Sequence, residues 1–177
     1  MNIIKTGALL LCLLSPLAQA ETTLFGLTLG KSTRQEVDQI YTSKYKNTAS
    51  GQSDSRNYYV IDGEQFGEPQ LKEATLYFDD AQTLGRIRFL FPSSLEKYKE
   101  LEEQLSRQYP RLTTAPFISE PLLRDKAEFQ NDTTHVLLDY SDFGTNLSFT
   151  DLKYRAANQK RLAEKKALEA NKPKKEP

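Results

Sequence analysis

LKEATLYFDDAQTLGRIRFLF, residues 71–91, is the stretch whose reading decides the fold. Leu71 to Phe78 alternates, with Ala74, Leu76 and Phe78 on one side and Thr75 and Tyr77 on the other. Leu84 to Phe91 alternates again, with Ile87, Phe89 and Phe91 opposite Arg86 and Arg88. A period of two marks a half-buried strand. The linker between the runs, DDAQT, has hairpin composition. Two such strands joined so closely are antiparallel, and their apolar side has to be covered.

Working outward, the same test finds the covering elements. Upstream, Thr33 to Tyr45 carries Val37, Ile40, Tyr41 and Tyr45 at helical spacing. Leu24 to Leu29 reads as a short strand, 46–56 as a polar loop, Tyr58 to Ile61 as a strand and Asp62-Gly63 as a turn. Downstream, Ser94 to Tyr109 is a helix with Leu95, Tyr98, Leu101, Leu105 and Tyr109 facing inward, stopped by Pro110. After a stretch punctuated by Pro116 and Pro121 come strands near Ala127–Gln130, Thr134–Tyr140 and Asn146–Thr150. From Asp151 a long Ala-, Lys- and Glu-rich helix runs to Lys172, where Pro173 ends it.

The expected fold class is α+β: an antiparallel sheet of about six or seven strands, two helices packed on one face, and a long C-terminal helix. The order also fits a tandem of two helix-plus-hairpin units, 21–91 and 92–152, sharing one sheet.

The stretch FGLTLGKSTRQEV, residues 25–37, raises a functional question because Gly30-Lys31-Ser32 ends like a Walker A loop. That loop needs four residues between its glycines to shape an anion cradle. Gly26 and Gly30 leave three, Leu27-Thr28-Leu29, which are apolar or strand-forming. A helix start explains the same letters: Thr33-Arg34-Gln35-Glu36 is a capping box, and Gly30 lets the chain turn.

LFGLTLGKSTRQEVDQIY resembles the opening of small exported modules of the BamE/SmpA outer-membrane lipoprotein kind and the β-lactamase-inhibitor-protein kind. In those, a glycine, a Ser or Thr cap and a short helix precede an antiparallel sheet. The chain departs from them in lacking a lipidated cysteine at the mature terminus, the Gly-x-Pro after Tyr45 and the inhibitor-type disulfides. The resemblance implies a fold type and an interaction role, and no site residue.

The first twenty residues, MNIIKTGALLLCLLSPLAQA, order a positive charge, a short apolar run and a small-x-small pattern at Ala18-Gln19-Ala20. That order reads as a signal peptide cleaved near Ala20. Cys12 raises a lipoprotein reading, but no small residue precedes it and a second cleavage pattern follows. The domain expectation is therefore 1–20 signal peptide, 21–152 α+β domain and 153–177 basic helical tail. Residues 21–177 lack cysteine, which removes disulfides, thiol nucleophiles and cysteine metal sites from consideration. An exported, cysteine-free chain fits a bacterial periplasm.

The formal charge of zero hides an asymmetry. Lys153 to Pro177 carries nine Lys or Arg and three Glu, whereas Glu21 to Leu152 carries fourteen basic and twenty-one acidic residues. An acidic body argues against a grip on nucleic acid. The tail reads either as a basic arm touching anionic lipid, cell-wall polymer or an acidic partner, or as a solvated terminal helix with a thin stripe of Leu152, Ala156, Ala163 and Ala167. Its removal is expected to leave the body folded.

Catalytic signatures are sparse. The single histidine, His135, lies in the strand THVLLDY, no G-x-S-x-G elbow exists, and Ser53 and Ser55 fall in a loop. DYSDFGTN, residues 139–146, lacks the alternating ligands of a calcium loop and reads as a hairpin turn. Asp79 and Asp80 are adjacent, so on a strand they would point to opposite faces. No cofactor or metal is called for.

One constellation remains. Tyr77, Arg86, Arg88, His135 and Asp139 all stand opposite their strands' apolar sides, so neighbouring strands would gather them on one sheet face. Such a face can bind a protein or an anionic glycan, or simply be the wet side of an antiparallel sheet. The expected function is an exported periplasmic non-catalytic binding module for an envelope protein or cell-wall polymer. A small periplasmic hydrolase using carboxylates is the alternative.

Overall fold

The computed structural model describes residues 21–48, 57–112 and 125–170. It opens with a two-residue hairpin, β1 (Thr23–Leu24) and β2 (Leu27–Thr28), and then helix α1 (Arg34–Ile40). Four strands follow: β3 (Ser43–Thr48), β4 (Asn57–Asp62), β5 (Glu73–Phe78) and β6 (Leu84–Phe91), with a 3-10 turn at Gly63–Phe66. Helix α2 (Leu95–Gln108) leads to β7 (Lys126–Gln130), β8 (Thr134–Ser141) and β9 (Gly144–Asp151), and α3 (Leu152–Ala170) comes last. The fold is α+β, as the periodicity required.

Seven strands form one antiparallel sheet in the order β3-β4-β5-β6-β9-β8-β7. Helices α1 and α2 therefore each precede a meander, and the two meanders meet where β6 pairs with β9. Tyr59, Ile61, Leu76, Phe78, Ile87, Phe89, Phe91, Val136, Leu138, Leu147 and Phe149 fill the core face. Val37 of α1 and Tyr98, Leu101 and Leu105 of α2 close over it. Aromatic edge-to-face contacts run through this layer, with Phe25 on Phe66 at 5.3 Å and on Phe89 at 5.6 Å.

Four local expectations are corrected. The segment Leu24–Leu29 is a hairpin, because Phe25 (φ 52°) and Gly26 (φ 80°) turn the chain between β1 and β2. Asp62-Gly63 is no simple turn, since Gly63 starts a 3-10 turn. Helix α1 stops at Ile40, so Tyr45 belongs to β3 and is 54% exposed, as Ile40 is at 52%. Pairing of β3 with β4 wins over helical extension there. Leu95 begins α2 on the inward stripe but is 40% exposed, lying beyond the sheet's cover. The signal-peptide region, the loop serines Ser53 and Ser55, the Pro116–Pro121 stretch and the helix end at Lys172 lie outside the described residues.

The GKST segment is a helix start. Gly30 takes a left-handed φ of 75°, and its N–H donates to Leu84 O at 2.8 Å. The N–H groups of Lys31 and Ser32 donate to Thr28 O, and Leu84 N–H donates to Ser32 O. The amides that a phosphate cradle would present are thus already bonded. Thr33 Oγ1 accepts from Glu36 N–H while Glu36 Oε2 accepts from Thr33 N–H, closing the capping box. Thr33→Ala should lower stability by about 1 kcal/mol in denaturant unfolding, because the Glu36 amide loses its acceptor.

Candidate functional site

Strand pairing converts the sequence into rows across the polar face of the sheet. One row runs Tyr58, Tyr77, Arg86, Thr150, His135, Gln130. The next runs Val60, Thr75, Arg88, Ser148, Leu137, Glu128, and the third Asp62, Glu73, Leu90, Asn146, Asp139, Lys126. The five expected residues share this face, but they are not one cluster. Tyr77 and Arg86 are direct neighbours, Arg88 is one row on, His135 lies two strands away at about 9.5 Å, and Asp139 stands in the third row.

The closest assembly is aromatic and cationic. The Arg86 guanidinium sits 5.2 Å from the Tyr77 ring centroid, Tyr77 lies 5.8 Å from Tyr58, and Tyr58 lies 5.9 Å from Tyr45. Three tyrosine rings on three adjacent strands thus lead from the exposed edge to an arginine. Arg86 Nη2 donates to Ser148 Oγ at 3.0 Å, and its buried Nε has no hydrogen-bond partner among the described residues. Arg88 Nη2 donates to Thr75 Oγ1 at 3.4 Å and approaches Glu73 at 3.8 Å.

His135 is 6% exposed, and its Nε2 lies 3.0 Å from Glu128 Oε2. Burial holds the imidazole below its ordinary pKa, against the opposing pull of Glu128. Glu128 also pairs with Lys126 at 2.5 Å, and that contact, with His135, holds its carboxyl below the usual range. A histidine held low binds protons less readily folded than unfolded. Stability therefore falls as pH drops below about 6.5, the unfolded value. Glu128 adds a separate loss further down, as pH falls below about 4.5 and through its lowered folded value. His135→Gln should flatten the upper window and narrow the lower one without abolishing it, since Lys126 still holds Glu128, as read from unfolding free energies across pH.

Helix α3 joins this face, where the sequence offered only a thin apolar stripe. None of its residues is buried in the core. Instead it is capped by Asp151, whose Oδ1 accepts from Tyr154 N–H at 2.9 Å, and Tyr154 fills the gap left by Gly85. A Cβ on Gly85 would fall 2.1 Å from the Tyr154 ring. Burial raises the Tyr154 phenol's pKa, while Arg86 and Arg161 oppose the rise. Arg155 is close enough to help hold His135 low. Tyr45, Tyr58 and Tyr154 are members of the face that the sequence reading missed. For Tyr58 the signal was present, since it alternates with Tyr59 and Ile61.

Away from this face, a depression of about 390 Å³ is lined by Gly26, Thr28, Lys31, Ser32, Glu36 and Ile40 among others. Its polar groups serve the fold: Lys31 pairs with Glu21 at 2.6 Å, and Ser32 Oγ accepts from Thr28 N–H. Among the described residues, no group of three or more His, Cys, Asp or Glu could hold a metal ion, and no helix is long and apolar enough to cross a membrane.

No protein-family model and no curated protein matches the chain. Among solved structures it is similar to a DUF4309 family protein (YjgB) from Bacillus subtilis subsp. subtilis str. 168. The two are 18% identical with a TM-score of 0.43, over 74% of this chain and 87% of that one.

Proposed function

We propose that the chain is an exported, non-catalytic binding module of the bacterial envelope, acting in the periplasm. It engages an envelope protein or cell-wall polymer through the polar face of its sheet. The observation that carries this reading is the continuous row Tyr45–Tyr58–Tyr77–Arg86. Tyrosine and arginine supply large rigid contact area and directional charge, the chemistry that dominates recognition surfaces. Export rests on the N-terminal pattern of residues 1–20.

The hydrolase alternative needs two carboxylates converging on one cleft. The carboxylates of this face are engaged elsewhere: Glu73 faces Arg88, and Glu128 is held by Lys126 and His135. That favours binding over hydrolysis. The test is a crosslinking pull-down from the envelope with tagged full-length chain, beside Arg86→Ala and an α2 control, Glu103→Ala. A specific adduct that the control keeps and Arg86→Ala loses supports the reading. Equal recovery by all three forms, or by none, contradicts it.

A further inference from the structure

The row's composition says more about its ligand, on the footing that this face is the binding surface. We infer that the row takes a polysaccharide chain bearing carboxylate groups. Three like rings stand on adjacent strands, Tyr58 and Tyr77 in register and Tyr45 diagonally beside Tyr58, with centroids 5.9 and 5.8 Å apart. A linear row of repeated rings suits a ligand that itself repeats. The C–H faces of sugar rings stack on the π-faces of tyrosines, and the phenol tips offer hydrogen bonds to sugar hydroxyls. A folded protein partner would instead call for a compact apolar anchor, and the aliphatic residues of this face, Val60, Leu90 and Leu137, are scattered over two rows and three strands.

The charge distribution selects an anionic chain. The tyrosine row holds the cation Arg86 and no carboxylate from Tyr58 to Gln130, and its His135 is buried against Glu128. The acidic residues Asp62, Glu73 and Asp139 stand two rows away, and Glu128, one row away, is held by Lys126 and His135. Among the described residues no carboxylate pairs with Arg86, whose planar fork matches a carboxylate. Helix α3, seated beside Arg86 through Tyr154, carries six Lys or Arg against two Glu, which raises the positive potential at that end of the row.

The experiment is co-sedimentation of the full chain with purified, protein-free peptidoglycan sacculi, paired with gel retardation by soluble polygalacturonate and by a neutral β-glucan. The expected result is binding to sacculi and polygalacturonate, weaker binding to the neutral glucan, and roughly tenfold loss in Tyr58→Ala and Arg86→Ala, equivalent to about 1.4 kcal/mol. Tyr58→Phe, which keeps the ring, should retain most of the binding and controls for folding. Binding that Tyr58→Ala and Arg86→Ala leave unchanged would overturn the assignment. So would a preference for the neutral glucan. If no polysaccharide binds while the envelope pull-down still yields an Arg86-dependent protein adduct, the glycan inference falls and the binding-module reading stands.

Discussion

Phe149→Ala should cost about 3–5 kcal/mol of stability, among the largest losses expected from a single truncation of this chain. Phe149 lies on β9, near the middle of the sheet, and is 2% exposed. Its ring meets Phe89 at 6.4 Å and Tyr109 at 6.1 Å, so it joins the β6 side of the core to the end of α2. Truncation removes the buried ring from both neighbours at once. The surrounding strands are held by ladder hydrogen bonds on either side and cannot collapse into the void. Denaturant unfolding followed by far-UV circular dichroism measures this as a shift in midpoint at unchanged slope.

Gly85→Ala should have a different signature, unseating α3 while the body stays folded. The added Cβ would lie 2.1 Å from Tyr154 Cδ2, 2.2 Å from Cγ and 2.8 Å from Cβ. Those atoms are near the root of the side chain, so rotation of the ring cannot clear them and the helix itself has to shift. Overpacking of this kind costs about 1–3 kcal/mol. Helix α3 contributes no buried residue to the core, so it has little packing to offset that cost. Amide hydrogen exchange should show faster exchange over 152–170 in the variant, with β5, β6 and β9 protected as in the parent. Uniform loss of protection would mean that α3 is part of the cooperative core.

The sheet was legible where side chains alternate strictly. Glu73–Phe78 and Leu84–Phe91 read correctly because one face is packed against helices and the other is polar. The second helix was legible for the same reason, with Tyr98, Leu101 and Leu105 recurring at helical spacing. Tyr45 misled because it continues the Val37–Tyr41 stripe by four residues, and no glycine or proline marks the end of α1. What ends the helix is tertiary, the pairing of Ser43–Thr48 with β4, and no local signal reports it. That displacement hid the outermost tyrosine of the row.

The candidate site was legible as a face but not as an arrangement. Alternation puts Tyr77, Arg86 and His135 on the polar side, whereas their spacing depends on strand order. The crossover that inserts β9 between β6 and β8 separates His135 from Arg86. Helix α3 was read by its thin apolar stripe, yet its seat is a steric one, a tyrosine entering the space over a glycine. Hydrophobic periodicity carries no signal of that kind.

The most direct test of the binding face uses a photoreactive residue placed in the intact chain, at position 45 and, separately, at position 103. Tyr45 opens the tyrosine row at the sheet edge, and Glu103 is exposed on α2, away from that face. Irradiation in living cells should give a discrete adduct, protein or cell-wall polymer, from position 45, and Arg86→Ala in the same chain should abolish it. Position 103 should give none. Adducts from 103 and none from 45 would place the interaction elsewhere and contradict the account.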